Sequence, residues 1–334
     1  MRYHVMCLTR AAVLVISTLL VAGATAAEPV PPGTTLAIGD PRIEFALRLS
    51  GEIKKLPFKV NWANISGGPN TLQAFRAKVL DLGNVADIPP IHAHWTGLPV
   101  KIVAVRFRQD PTNHPIYQLG IAPGAGINSL ADLRGKRIAY SPGQAQGALV
   151  LRILKKAGLS QKDVRLIELP STTNVYANAL QSRLVDAAPL GVVFAKRYLA
   201  GFAKDGAKVL SHGLRDDPDY LYAPVAVLSD PAKAAAIREY VKFWARATRW
   251  IEAHPDLWAD AYYVKDQGLN AADARYTVQS SGIADIPADW NGAIERQQQT
   301  IDLIAKETGQ KSFGAADLFD RRFERVAFEA ISGK

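Results

Sequence analysis

Short apolar runs alternate with longer stretches of helical period along most of this chain. Leu36-Ala37-Ile38 reads as a strand ended by Gly39-Asp40-Pro41. Phe58, Val60 and Trp62 alternate, which predicts a second strand within Pro57 to Ile65. The turn Ser66-Gly67-Gly68-Pro69 follows. Leu72, Phe75 and Val79 then recur at helical spacing, with Pro69 at a helix start where its missing N–H costs little. Leu82 to Val85 and Lys101 to Phe107 are further strands. The cycle restarts at Lys136 to Tyr140, a strand ahead of Ser141-Pro142-Gly143. Leu149, Ile153, Leu154 and Ala157 mark a helix stopped by Gly158. Val164 to Leu169 predicts a strand, Val175, Ala179, Leu180 and Leu184 a helix, and Val185 to Pro189 and Ala207 to Ser211 short strands. From Pro231 the chain reads as mostly helical, with Ile237, Val241, Trp244, Thr248 and Ile251 on one stripe and a further helix beginning at Gln297. This alternation predicts an α/β class with largely parallel sheets, and the length favours two lobes over one.

The first residues follow a different rule. Arg2 and Arg10 precede an uncharged apolar run from Ala11 to Ala22, and Ala24-Thr25-Ala26 fits the small-residue cleavage pattern. The run has twelve residues, whereas a membrane span needs about 20. Residues 1–26 are therefore expected to be a secretory signal peptide, cleaved after Ala26 or Ala27. A bacterial periplasm is the simplest destination. Cleavage removes two arginines and Cys7, the one cysteine of the chain, so the net charge falls from +9 to +7 and no thiol remains. Cysteine nucleophiles, disulfides and Cys-based zinc sites are thereby excluded from the mature chain. The surplus positive charge is small for the length, and no nucleic-acid partner is expected. Mean hydropathy of −0.02 excludes a polytopic membrane protein.

Ile65-Ser66-Gly67-Gly68-Pro69-Asn70-Thr71-Leu72 is the most informative local feature. Glycines let a ligand approach the backbone, and a helix opening there aims free N–H groups and its positive end out of the turn. Ser66, Asn70 and Thr71 add side-chain donors. The combination suits a phosphate, sulfonate or carboxylate. It equally describes an ordinary strand–turn–helix connection in which Ser, Asn or Thr caps the helix. The Lys-Ser/Thr ending of a P-loop is missing. Ser141-Pro142-Gly143-Gln144-Ala145-Gln146-Gly147 repeats the theme in the second cycle.

Other constellations add little chemistry. His92 and His94 flank Ala93 without an acid or cysteine nearby, so structural or surface histidines are expected and no metal. Arg106 and Arg108 read as a solvated strand end. Trp244, Trp250, Trp258 and Trp290 fall in helical stretches and read as packing residues. Ser171-Thr172-Thr173-Asn174 either caps the next helix or forms a ligand loop. Arg42 could grip an oxyanion in a fork, or stand exposed at a strand end. No Ser-His-Asp spacing or paired carboxylates stand out.

At these residues the chain resembles the periplasmic aliphatic-sulfonate, nitrate and taurine binding proteins of ABC importers. The resemblance is carried by Gly67 to Phe75, by Asp81-Leu82-Gly83-Asn84-Val85-Ala86-Asp87-Ile88-Pro89-Pro90, and by Lys101-Ile102-Val103-Ala104. Ile127 to Ala139, Lys156-Ala157-Gly158-Leu159, Val185-Asp186-Ala187 and Arg296-Gln297-Gln298-Gln299 with Asp302 continue it. It implies a two-lobed type II periplasmic binding protein fold with two crossover strands. These are expected near Tyr117 to Ala122 and Tyr222 to Leu228. Lobe 1 would comprise 34–119 and 225–334, and lobe 2 would comprise 120–224. By position, Gly68-Pro69-Asn70-Thr71 would hold an anionic head and Asp87-Ile88-Pro89 a neighbouring wall. Asp40 and Arg42 match the first ligand loop. Ser141, Gly143, Gln144, Ala145 and Gln146 match a second-lobe loop, joined by Thr172, Thr173 and Leu190. The sequence departs from the family at Asp40-Pro41-Arg42, at Gln73-Ala74-Phe75 and at Ala188 to Val193.

The resemblance thus implies a monomeric receptor, not an enzyme. It would bind a small organic anion without a cofactor and present it to a membrane permease. Sulfonates lead, with nitrate, taurine or another small solute as alternatives and a signalling partner as another. Enzymes on this scaffold, a desulfinase and a thiamine-pyrimidine synthase, rely on cysteine chemistry, which a thiol-free mature chain cannot perform.

Overall fold

The computed structural model describes residues 1, 29–171 and 174–333. The expected signal peptide and the pair Thr172–Thr173 lie outside the described residues.

β1 (Thr35–Gly39) buries Leu36 and Ile38 completely. α1 (Pro41–Ser50) follows at once, a helix that the sequence reading did not extend from its strand stop. Asp40 caps it by accepting the Ile43 N–H at 3.4 Å, Pro41 occupies the first turn, and Ile43, Ala46 and Leu47 face the core. β2 (Lys59–Trp62), α2 (Gly68–Arg76), β3 (Leu82–Val85), α3 (Ile88–Trp95) and β4 (Val100–Arg108) complete the first passage through this lobe. The chain then crosses to β5 (Tyr117–Ile121), β6 (Arg137–Tyr140), α4 (Ala145–Lys156), β7 (Arg165–Glu168), α5 (Val175–Gln181), β8 (Ala187–Gly191), α6 (Val192–Phe202) and β9 (Lys208–Leu210). It returns through β10 (Asp219–Pro224) to α7 (Val225–Leu228), α8 (Pro231–Ala253), α9 (Pro255–Trp258) and a π-helical turn at Ala259–Asp266. α10 (Ala271–Ser280), β11 (Ala284–Asp285), α11 (Asn291–Thr308) and α12 (Val326–Glu329) follow.

Two sheets result, ordered β11-β4-β10-β3-β1-β2 and β7-β6-β8-β5-β9. They are mixed rather than largely parallel. β10 runs antiparallel to β3 and β4, and β5 runs antiparallel to β8 and β9. Each of these strands enters its sheet directly from the other lobe, at the end where the parallel strands stop, so it must run the opposite way. β5 hydrogen-bonds wholly within the second sheet and β10 wholly within the first. The crossings themselves therefore lie at 109–116 and 211–218, earlier than the expected Tyr117 to Ala122 and Tyr222 to Leu228. Two adjacent carboxylates stitch them together: Asp216 accepts the Ile116 and Tyr117 amides at 2.9 and 2.8 Å, and Asp217 accepts the Arg108 amide at 2.6 Å. Both aspartates are buried.

α8 packs its predicted stripe, Ile237, Val241, Trp244, Thr248 and Ile251, against the first sheet. α4 belongs to the second lobe, yet Ala148 and Leu151 join the first lobe's core while Leu149, Val150, Ile153 and Leu154 face its own. α10 reaches back to α6, where Lys196 and Arg197 each donate to Asp273 at 2.7 Å.

Candidate functional site between the lobes

The turn ahead of α2 has the backbone that glycine permits. Gly67, at φ 80° and ψ 144°, occupies a region closed to residues with a Cβ, and no side chain caps the helix that follows. Two of the three side-chain donors singled out in the sequence are committed to the turn itself. Asn70 Nδ2 donates to the Ser66 carbonyl at 3.3 Å and Thr71 Oγ1 to the Gly67 carbonyl at 2.9 Å. Ser66, Gly67, Pro69 and Asn70 stay exposed, while Gly68 and Thr71 are buried. What the turn offers a ligand is thus the exposed Ser66 hydroxyl, the first-turn amides and the positive end of α2.

Gly68 rests on the ring of Pro89 in the first turn of α3, which joins two of the predicted segments. One turn further along α3, the His92 ring lies 3.5 Å from where a Cβ of Gly143 would stand. Gly143 belongs to the second-lobe loop. A recess of about 100 Å³ opens at this contact, with Ile88 and His92 on one wall and Pro142, Gly143 and Gln144 on the other. Gly143 at φ 76° shapes the loop, and α4 starts behind Gln144 without a side-chain cap. The structure therefore strings together Gly68, Pro89, His92 and Gly143, and with them the uncapped starts of one helix from each lobe. Ser141 is buried beneath this loop; Ala145 and Gln146 are half-buried in the first turn of α4.

Other predicted residues lie elsewhere. Asp40 is 3% exposed and points inward, accepting from Ile43 N–H and, at 3.2 Å, from the Tyr240 hydroxyl. Burial raises its pKa to about 6 against the opposing pull of Arg106. Its own carboxylate fills the N-terminus of α1, which leaves no room there for a ligand's anion. Arg42 sits 5.8 Å from the Trp258 ring centroid. Leu190 is buried in the second sheet, so close to Gly120 that a Cβ there would meet it at 2.6 Å. Asp87 is buried and engaged: it accepts from Arg152 of α4 and from Thr300 of α11, and its carbonyl accepts from Gln297 at 2.8 Å. Arg106 is not a solvated strand end, since it pairs with Asp219 and donates to Thr248 at 2.9 Å. His94 stacks on Phe313 with centroids 3.6 Å apart.

Sequence reasoning missed a second, larger recess. A cavity of about 490 Å³ lies where α4, α11 and the crossings meet, with Arg152, Lys155 and Arg296 among its walls. These residues come from helices far apart in sequence, and no local motif announces their meeting.

The family model described as NMT1/THI5 like matches residues 60–256, more than half of the chain. The chain belongs to the NMT1/THI5 like family. A putative aliphatic sulfonates-binding protein of Escherichia coli (strain K12) is 30% identical over 194 residues. That match covers 57% of this chain and 58% of the relative, so the chain spans less than two thirds of the relative's length. Solved structures carry the likeness across nearly the whole fold. The periplasmic aliphatic sulphonate binding protein SsuA from Escherichia coli matches with a TM-score of 0.71 at 23% identity, covering 87% of this chain and 92% of that one. The alkanesulfonate-binding protein SsuA from Xanthomonas axonopodis pv. citri, bound to MOPS, matches with a TM-score of 0.68 at 23% identity, covering 87% and 99%. The fold is that of the periplasmic binding proteins.

Proposed function

We propose that this protein is a periplasmic receptor of an ABC importer. It binds a small organic anion, an alkane- or arylsulfonate before others, between its two lobes and presents the closed form to a membrane permease. The observation that carries this reading is the string of contacts from Gly68 through Pro89 and His92 to Gly143, which links the loop that opens α2 in one lobe to the loop that opens α4 in the other. Two helix N-termini supply N–H donors and positive potential without a counter-charge of their own, and a ligand held by both favours the closed lobes. The aliphatic-sulfonate binding of the Escherichia coli relative, 30% identical over 194 residues, supports the same ligand class.

The test is a thermal-shift screen of the mature protein with methanesulfonate, taurine, benzenesulfonate and nitrate beside neutral dimethyl sulfone. A ligand that binds only the native state adds about 2.7 kcal/mol at a hundred times its dissociation constant, which the melt resolves readily. Sulfonates are expected to give the largest shift. A larger shift from the neutral sulfone sinks the anion seat.

A further inference from the structure

Two helices of the second lobe, α4 and α6, touch the first lobe, and they do so by different chemistry. α4 merges the cores, since its Ala148 and Leu151 belong to the first lobe's cluster. α6 stays in its own lobe: it buries Ala195 and Tyr198 there, and the Tyr198 hydroxyl donates to the Ile121 carbonyl at 2.9 Å. Its neighbour across the lobes, α10, buries Asp273 and Ala274 and turns Val278 to the first lobe's cluster. Among the described residues, no apolar side chain of α6 or α10 packs in the other lobe's core.

What joins these two helices is charge. Asp273, 7% exposed at its side chain, accepts from Lys196 on one carboxylate oxygen and from Arg197 on the other, each at 2.7 Å. Asn270 adds a bond at 3.0 Å, and the Lys196 ammonium lies 5.1 Å from the Tyr276 ring centroid. Charge-assisted bonds to a well-shielded carboxylate hold firmly while they are made. Both cations nevertheless reach water, at 35% and 45% exposure. Parting α6 from α10 therefore exchanges these bonds for hydration and strips no core of its cover. The α4 contact cannot part on those terms, because it would expose Leu151.

α10 is also coupled to the first crossing. Just beyond its end, the Ile283 carbonyl accepts the Gln109 amide at 3.0 Å, and a Cβ on Gly282 would meet the His114 ring at 2.8 Å. The helix thus reaches from the crossing to α6, so a change in the crossing is carried to Asp273.

We propose that Asp273 is the latch of lobe closure. It pins α6 to α10 in the closed form and releases them when the lobes part, so it tunes ligand affinity without touching the ligand. The effect on affinity rests on the receptor function proposed above; the latch itself does not. A receptor whose binding-competent form is only partly populated loses apparent affinity by that fraction.

Two variants of the mature protein test this. Asp273→Asn keeps the side chain's shape, and α10 keeps its cap, because Asn270 Oδ1 accepts the Asp273 N–H at 2.9 Å. The double substitution Lys196→Gln with Arg197→Gln removes the same contact from the other lobe. Melting curves check that both fold. Small-angle scattering without ligand should give a larger radius of gyration for each than for the natural chain. Methanesulfonate should bind each about fivefold more weakly, with the loss in a faster dissociation rate. Combining all three substitutions should add nothing, since either set alone already breaks the contact. The proposal is overturned if both folded variants keep the natural radius of gyration, if both keep full methanesulfonate affinity, or if their effects add. If both radii grow while methanesulfonate fails to bind even the natural chain, the latch stands and the sulfonate reading of the receptor falls.

Discussion

The Cα of Gly68 lies against the ring of Pro89, so that a side chain at position 68 would place its Cβ 2.4 Å from Pro89 Cγ. A proline ring cannot swing aside as a long side chain can. Gly68→Ala is therefore expected to push α2 and α3 apart, at about 1–3 kcal/mol of stability. Gly67 makes the complementary case. Nothing lies within 4 Å of its missing Cβ, but its φ of 80° with ψ 144° strains any other residue, so Gly67→Ala should cost about as much through the backbone alone. Denaturant melts measure both losses. A neutral Gly68→Ala would show that the two helices are not in the contact described.

The second-lobe loop has its own tight point. A Cβ on Gly147 would stand 2.2 Å from the Ser141 carbonyl oxygen, a backbone atom that moves only with the loop. Gly147→Ala should lower stability by about 1–3 kcal/mol or more. It should also displace Gly143 from His92, so a sulfonate that binds there loses affinity together with stability. Loss of stability with ligand affinity intact would separate this loop from the binding site.

Much of this architecture is legible in the sequence. The strand positions follow from short apolar runs, and the α8 stripe follows from its period. α1 escaped because Gly39-Asp40-Pro41 reads as a stop, although Asp-Pro ahead of Ile43, Ala46 and Leu47 is also a capped helix start. α3 escaped because Pro89 and Pro90 resemble breakers, and prolines are tolerated in a first turn. The crossings were set late because Tyr220, Leu221 and Tyr222 form a buried strand whose partners, β3 and β4, lie more than a hundred residues earlier. The glycine turns could be read locally. The engagement of Asp87 by Arg152 and Thr300 could not, since it depends on how α4 and α11 dock.

That engagement has a measurable weight. Asp87 is 3% exposed at its side chain and Arg152 21%, and they join the first lobe to the second. Asp87→Ala strands a largely buried guanidinium with the Thr300 hydroxyl alone. Removing one partner of a fully buried pair costs about 3–5 kcal/mol; partial exposure of Arg152 brings the expected loss to about 2–4 kcal/mol. Arg152→Met in the same chain should recover part of it, a coupling that a double-mutant cycle reads directly. Small-angle scattering of Asp87→Ala without ligand should show a larger radius of gyration. An unchanged radius would mean that this pair does not hold the lobes together.

Asp40 sets a pH dependence of unusual sign. Burial beneath Tyr240 raises its pKa from 3.8 to about 6. Between those values the folded chain keeps a proton that the unfolded chain has already released, so stability falls as pH rises through that window and levels off above it. A shift of this size corresponds to about 2–3 kcal/mol in order of magnitude. Most paired carboxylates act the other way and are lost on acidification. The substitution Asp40→Asn isolates the effect, because an amide oxygen can still accept the Ile43 N–H that caps α1. Stability of Asp40→Asn relative to the natural chain should therefore improve by about 2–3 kcal/mol between pH 4 and pH 7. Urea melts of both proteins at several pH values across that interval supply the comparison. A difference that stays flat across the interval would place the Asp40 carboxyl in contact with solvent, and would reopen the N-terminus of α1 as a seat for the ligand's anion.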